Sequence, residues 1–124
     1  MKVLLSIKPE FVEKIFAGTK KYEFRKSLFK RSGVKYVVIY ASAPIKRVVG
    51  EFEIDDILSD DVNTVWEKTK KHSGISKAFY NSYFQNRKTA NAIRIGHLIK
   101  YEETRSLSDY HIQQAPQSFC YIRK

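Results

Sequence analysis

At Gly18 the hydrophobic period of this chain changes. Before it, Phe11, Val12, Ile15 and Phe16 recur at the spacing of one helix face; after it, Tyr22 and Phe24 alternate with Lys21, Glu23 and Arg25. Pro9 suits the first helical turn, where its missing N–H is not needed. Glu10 and Glu13 lie where carboxylates favour the helix dipole. Gly18 is the residue type that ends a helix in the left-handed conformation. A helix that stops there must give way within four residues to a strand with one polar face. Lys20 then falls just beyond the helix stop, held by the scaffold and exposed. Glu23 and Arg25 share the polar face while Tyr22 and Phe24 anchor the other.

The remaining pattern limits the fold class. Val3–Ile7 reads as a first strand, Val34–Ala41 as the strongest one and Val48–Ile54 as another with a wet face of Glu51, Glu53 and Asp55. Asp60 or Asp61 can cap a helix over Val62, Val65, Trp66 and Thr69, ended by His72-Ser73-Gly74. Ser76 can cap a second over Phe79, Tyr80, Tyr83 and Phe84. Ala90–Ile99 reads as a strand, Ser106–Asp109 as a turn or short helix and Phe119–Ile122 as a last strand. The order is β-α-β-β-β-α-α-β-turn-β. Strands and helices do not alternate regularly, which argues against a doubly wound parallel sheet. The expectation is an α+β fold: a small, mostly antiparallel barrel or curled sheet with flanking helices, in a single domain over residues 1–124.

Composition narrows the function classes. The 124 residues are 43% apolar and 14% aromatic, as in a globular protein, and 23 basic against 13 acidic residues leave a net charge of +10. Such a surface attracts polyanions, nucleic acid first and acidic membrane second; the plain alternative is a soluble basic protein. A single cysteine excludes an intramolecular disulfide, and Cys120 lies in an apolar run that reads as core. His72, His97 and His111 are scattered without zinc spacing, so no metal and no cofactor is implied. No apolar run nears the roughly 18 residues of a membrane helix, and Lys8 and Pro9 interrupt the N-terminal one. No membrane partner and a cytoplasmic location are the expectation. Glycine-rich phosphate loops, nucleophile elbows and metalloprotease motifs are absent.

What remains is Gly18-x-Lys20-x-x-Glu23-x-Arg25. A lysine is a point charge for phosphate, and an arginine can bind phosphate or a base edge through two parallel hydrogen bonds. A glutamate between them can hold the cations in position or accept from an amino group, as on cytosine or adenine. If Lys20 is desolvated its pKa falls and it can serve as base or nucleophile. The bland reading is a surface ion-pair network of little energetic value. Lys21 and Lys26 extend the cluster, and Tyr40 and Ser42 at the end of the central strand are further candidates for a cleft. Lys26, Lys30, Arg31, Lys46 and Arg47 form one basic group of connections, and Lys68, Lys70, Lys71, Arg87 and Lys88 a second; each reads first as solvated loops and helix ends. The aromatics from Phe79 to Phe84 can stack bases, but at helical spacing they read first as core.

This pattern resembles the signature of the ASCH domain, within the PUA-like superfamily. Tyr40-Ala41-Ser42-Ala43-Pro44 with the strand after it, Ala90–Ile95 and Pro116-Gln117-Ser118-Phe119 are similar too, so the resemblance covers most of the chain. It implies a PUA-like β-barrel with flanking helices and a cleft where the signature residues meet RNA or a nucleotide, often in connection with translation. One branch of the family hydrolyses the acetyl group of N4-acetylcytidine, its signature lysine acting with a threonine and a later glutamate. Here Lys20 is kept and Glu23 stands in the threonine's place, which separates the chain from that branch. Other members are linked to ribonuclease activity. The reading is therefore a domain that binds RNA or a nucleotide-like ligand through Lys20, Lys21, Glu23, Arg25, Lys26, Tyr40 and Ser42. The alternatives are an enzyme on a modified nucleoside or RNA, with Lys20 and Glu23 catalytic, and a regulator that binds a small anionic metabolite.

Overall fold

The computed structural model describes residues 1–122. Strand β1 (Lys2–Ile7) leads into helix α1 (Pro9–Ala17), followed by β2 (Tyr22–Arg25), β3 (Tyr36–Ala41) and the long β4 (Arg47–Asp61). Helices α2 (Val62–Thr69) and α3 (Lys77–Tyr83) come next, then β5 (Thr89–Arg105) and β6 (Phe119–Ile122). All six strands form one sheet in the order β2-β5-β4-β3-β1-β6. Only β1 and β3 are parallel; the other pairs are antiparallel. The chain thus passes from α1 to one edge of the sheet before returning to its middle, the kind of crossover a parallel pair requires.

Both faces of the sheet are covered, which is why β1 and β3 read as nearly continuous apolar runs. On one face α1 presses Val12 and Ile15 onto Val3, Leu5, Val37, Ile39 and Phe52. On the other, Leu4, Val38, Tyr40 and Val48 are covered by the segment carrying Leu107, Tyr110 and Ile112. A third cluster joins Phe24 and Ala92 to Val65, Tyr80 and Phe84 from α2 and α3. The expected caps are present: Gly18 ends α1 at φ +83°, Asp61 accepts from the Thr64 amide and Ser76 from the Phe79 amide. Ser106 and Asp109 form a reciprocal cap on a short 3-10 turn, Leu107–Tyr110. Cys120 is half-buried beside this region, and burial pushes its thiol pKa up, away from thiolate chemistry.

Two expectations are corrected. First, the barrel is not closed: among the described residues β2 and β6 are the sheet's two edges, with no ladder between them. Each is four residues long. A side chain spans the gap instead, for Arg25 Nη2 at the end of β2 donates to the Ser118 carbonyl, just before β6, at 2.8 Å. Second, β4 and β5 run far beyond 48–54 and 90–99. Asp55–Asp61 and Lys100–Arg105 hold only a few β-forming residues (Ile57, Tyr101 and Thr104), but the two strands pair along their length, from Val48 with Arg105 to Asp61 with Thr89. Bulges around Val49, Glu53 and Asp55 bend this ribbon, so that one end serves β3 and the other serves β2.

Candidate nucleotide-binding pocket

A cavity of about 300 Å³ opens where the barrel ladder is missing. The end of β1, the strand β2, helix α3 and Gln117 near the start of β6 all contribute to it. Lys20, Glu23 and Arg25 line it together. All three are buried, with Lys20 only 2% exposed, where sequence spacing suggested an exposed lysine on a wet strand face. The reason is register. Glu23 pairs with Ile93, whose side chain belongs to the main core, so the polar face of β2 is the face that α1 covers.

The helix stop sets Lys20. The Gly18, Thr19 and Lys20 amides all donate to carbonyls of the last turn of α1, which fixes the backbone that launches the side chain. Lys20 Nζ donates to the Ser73 carbonyl at 2.8 Å and lies over the rings of Phe24 and Phe11, at 4.9 and 5.1 Å from their centroids. Gly74, next in the same loop, sits at φ +70°, and a Cβ there would stand 2.5 Å from Lys20 Cβ. Only glycine satisfies both conditions. The Lys21 amide donates to His72 and Lys14 Nζ to the Gly74 carbonyl, so the loop is stitched to both sides of the helix stop.

Burial pushes the Lys20 pKa down to about 8; the Glu23 carboxylate opposes that fall and the Lys14 ammonium adds to it. Glu23 Oε2 accepts from Arg25 Nη1 at 3.2 Å. Its other oxygen, Oε1, has no donor among the described residues. The Arg25 fork is turned on the protein: besides Glu23 it reaches the Ser6 carbonyl and both the carbonyl and hydroxyl of Ser118. Arg25, expected from the sequence to contact the ligand, lines the pocket, and the same guanidinium braces Glu23 and clasps the sheet edges together.

The outer wall comes from residues first read as core. Tyr80 and Phe84 are buried, whereas Phe79 and Tyr83, one turn apart on α3, line the pocket with parallel rings 6.4 Å apart. Phe11 meets Phe79 edge to face at 5.3 Å. Burial pushes the Tyr83 hydroxyl pKa up, with Arg25 and Glu23 among the charges that act on it. The helical period places these rings on one stripe, but only the position of α3 decides which of them meet a cavity.

Other expected residues lie elsewhere. Tyr40 is buried with Leu4, Val38 and Val48 on the opposite face, because strand alternation turns it away from Ile39. Ser42 lies outside the pocket lining, its amide bonded to the Ile7 carbonyl. Lys21 is exposed and does not line the pocket; Lys26 is exposed beside Tyr83. Lys30 and Arg31 donate their amides to the Tyr121 hydroxyl, which anchors their loop, and Lys70 pairs with Glu67. Among the described residues no group of three or more His, Cys, Asp or Glu side chains is placed to hold a metal, and no helix is long and apolar enough to cross a membrane.

Residues 5–99 match the ASCH domain family. The chain is 31% identical, over 98% of its own length and 84% of the relative's, to an ASCH domain-containing ribonuclease of Zymomonas mobilis. It is 27% identical over 98% of its length to the large ribosomal subunit protein uL22 of Ureaplasma parvum, of which it spans only 39%. The crystal structure of ASCH from Zymomonas mobilis superimposes with a TM-score of 0.89 at 28% identity, covering 99% of this chain and 88% of that one.

Proposed function

The chain belongs to the ASCH family, and on that footing we propose that its pocket binds one unpaired nucleotide of RNA, or a nucleotide-like ligand, in the cytoplasm and in connection with translation. The observation that carries this reading is a buried lysine beside a carboxylate whose Oε1 has no donor among the described residues, in a cavity of about 300 Å³ edged by aromatic rings. That volume is at the small end for ligand sites, on the scale of one base and not of a duplex. Lys20 has donors beyond the one given to Ser73, and they suit a base carbonyl, a ring nitrogen or a phosphate oxygen. Glu23 Oε1 suits an exocyclic amino group. Arg25 positions Glu23, and Phe11, Phe79 and Tyr83 supply faces and edges for a flat ring. The ribosomal role of the Ureaplasma relative belongs to that longer protein and supports the translation link only by likeness.

A second reading is enzymatic, and one observation favours it. With a pKa of about 8, Lys20 is a neutral amine in roughly a tenth of molecules at pH 7, a usable base or nucleophile with Glu23 as its acid–base partner. The relative named as a ribonuclease points the same way. Incubation with a panel of nucleosides and short single-stranded RNAs, scored for both binding and product, separates the readings. Binding that Lys20→Met abolishes, with no product from any member of the panel, is the expected result. Product formed by the parent and lost in Lys20→Met establishes the enzyme. Unchanged binding in Lys20→Met and in Glu23→Ala refutes the site.

A further inference from the structure

We infer that the pocket takes an internal nucleotide of a single-stranded RNA, with Lys8 and Lys26 gripping the phosphates on either side of it; this rests on the RNA reading of the same site. The mouth of the pocket has a short aromatic ledge made by Phe79 and Tyr83, whose rings lie parallel within 11°. Each end of the ledge carries one lysine from a different part of the chain. Lys8, at the junction of β1 and α1, places Nζ 5.3 Å from the Phe79 ring centre. Lys26, directly after β2, places Nζ 4.8 Å from the Tyr83 ring centre. Both residues are exposed, and among the described residues neither is in an ion pair.

Lys2, Lys70 and Arg94 have carboxylate partners, but many other surface cations do not; what sets Lys8 and Lys26 apart is their place over the two pocket rings. Almost all the acidic side chains lie outside the pocket lining. Six of the 13 in the chain lie on β4, and none of those lines the pocket. The one carboxylate that does line it, Glu23, is already paired with Arg25. The mouth is therefore flanked by two uncompensated cations, held near their positions by the rings beneath them. A free nucleoside has no phosphate and gives these lysines nothing to bind. A strand that dips one base into the cavity has a phosphate on each side of it. Duplex RNA keeps its bases stacked and paired, out of reach of so small a cavity.

The test uses the parent, Lys8→Gln, Lys26→Gln and the double variant, with a labelled single-stranded hexaribonucleotide and a panel of free nucleosides as probes. Each phosphate contact on a single strand contributes about 0.7 to the slope of log affinity against log salt. Each substitution is therefore expected to lower that slope by about 0.7 and to weaken hexamer binding about fivefold at 0.1 M salt. Nucleoside binding should change far less. A double variant that keeps the parent's affinity and slope for the hexamer overturns the inference, as does an equal loss for hexamer and nucleoside. If the parent binds the hexamer no better than Lys20→Met does, the RNA reading of the pocket falls as well, which tells the two failures apart.

Discussion

Replacing Lys20 by methionine tests whether a charge is held inside this fold. The side chain is 2% exposed, lies between the Phe11 and Phe24 rings, and has its pKa lowered from 10.5 to about 8 by burial, against the pull of Glu23. A folded state that disfavours the proton binds fewer protons than the unfolded chain between those two values. Stability should therefore rise with pH in that window, and the penalty is fully present below pH 8. The shift corresponds to roughly 3 kcal/mol at pH 7. Methionine fills similar space and carries no charge, so Lys20→Met should match or exceed the parent's stability at pH 7. The advantage should shrink by about 2.5 kcal/mol by pH 10, as the parent's lysine loses its proton in both states. Urea denaturation of both proteins at pH 7, 8.5 and 10 measures this, and the comparison cancels the tyrosines that titrate in the same range. Parallel curves, with a difference that moves by less than about 0.5 kcal/mol, would refute the account of Lys20 as a desolvated ammonium.

Arg25→Gln should cost about 3 kcal/mol in chemical denaturation, because it strands the Glu23 carboxylate and cuts the link to Ser118 that joins the sheet edges. Gly74→Ala should destabilise by about 2 kcal/mol in the same assay, since the new methyl meets Lys20 Cβ and the backbone stays at positive φ. Phe79→Ala, at a ring 36% exposed, should leave thermal stability within about 1 kcal/mol. It should weaken RNA binding about tenfold through the lost stacking surface, as read by fluorescence anisotropy.

Much of this was legible in the chain. The change of period at Gly18 located both the helix stop and the strand that carries Glu23 and Arg25, because capping and alternation are local effects. Burial of the polar face was not legible. It depends on β2 pairing with β5, some seventy residues away, and on the loop at Ser73 and Gly74 closing over Lys20. The split of one aromatic stripe into core (Tyr80, Phe84) and pocket wall (Phe79, Tyr83) is tertiary for the same reason. Tyr40 shows the converse. Its position at the end of the central strand was visible, but which face of that strand would meet the cleft was not. The missing barrel closure was not legible either: both edge strands are short, and the gap is spanned by the Arg25 clasp, a side-chain contact that no propensity encodes.

The central claim is that a nucleotide occupies the pocket of Lys20 and Glu23. Backbone amide shifts recorded while a short single-stranded RNA is titrated in test it most directly. The account predicts perturbations concentrated at Lys20, Glu23, Gly74, Phe79 and Tyr83, absent in Lys20→Met. Perturbations centred on the opposite face, around Tyr40 and Tyr101, or a full response that survives in Lys20→Met, would contradict it.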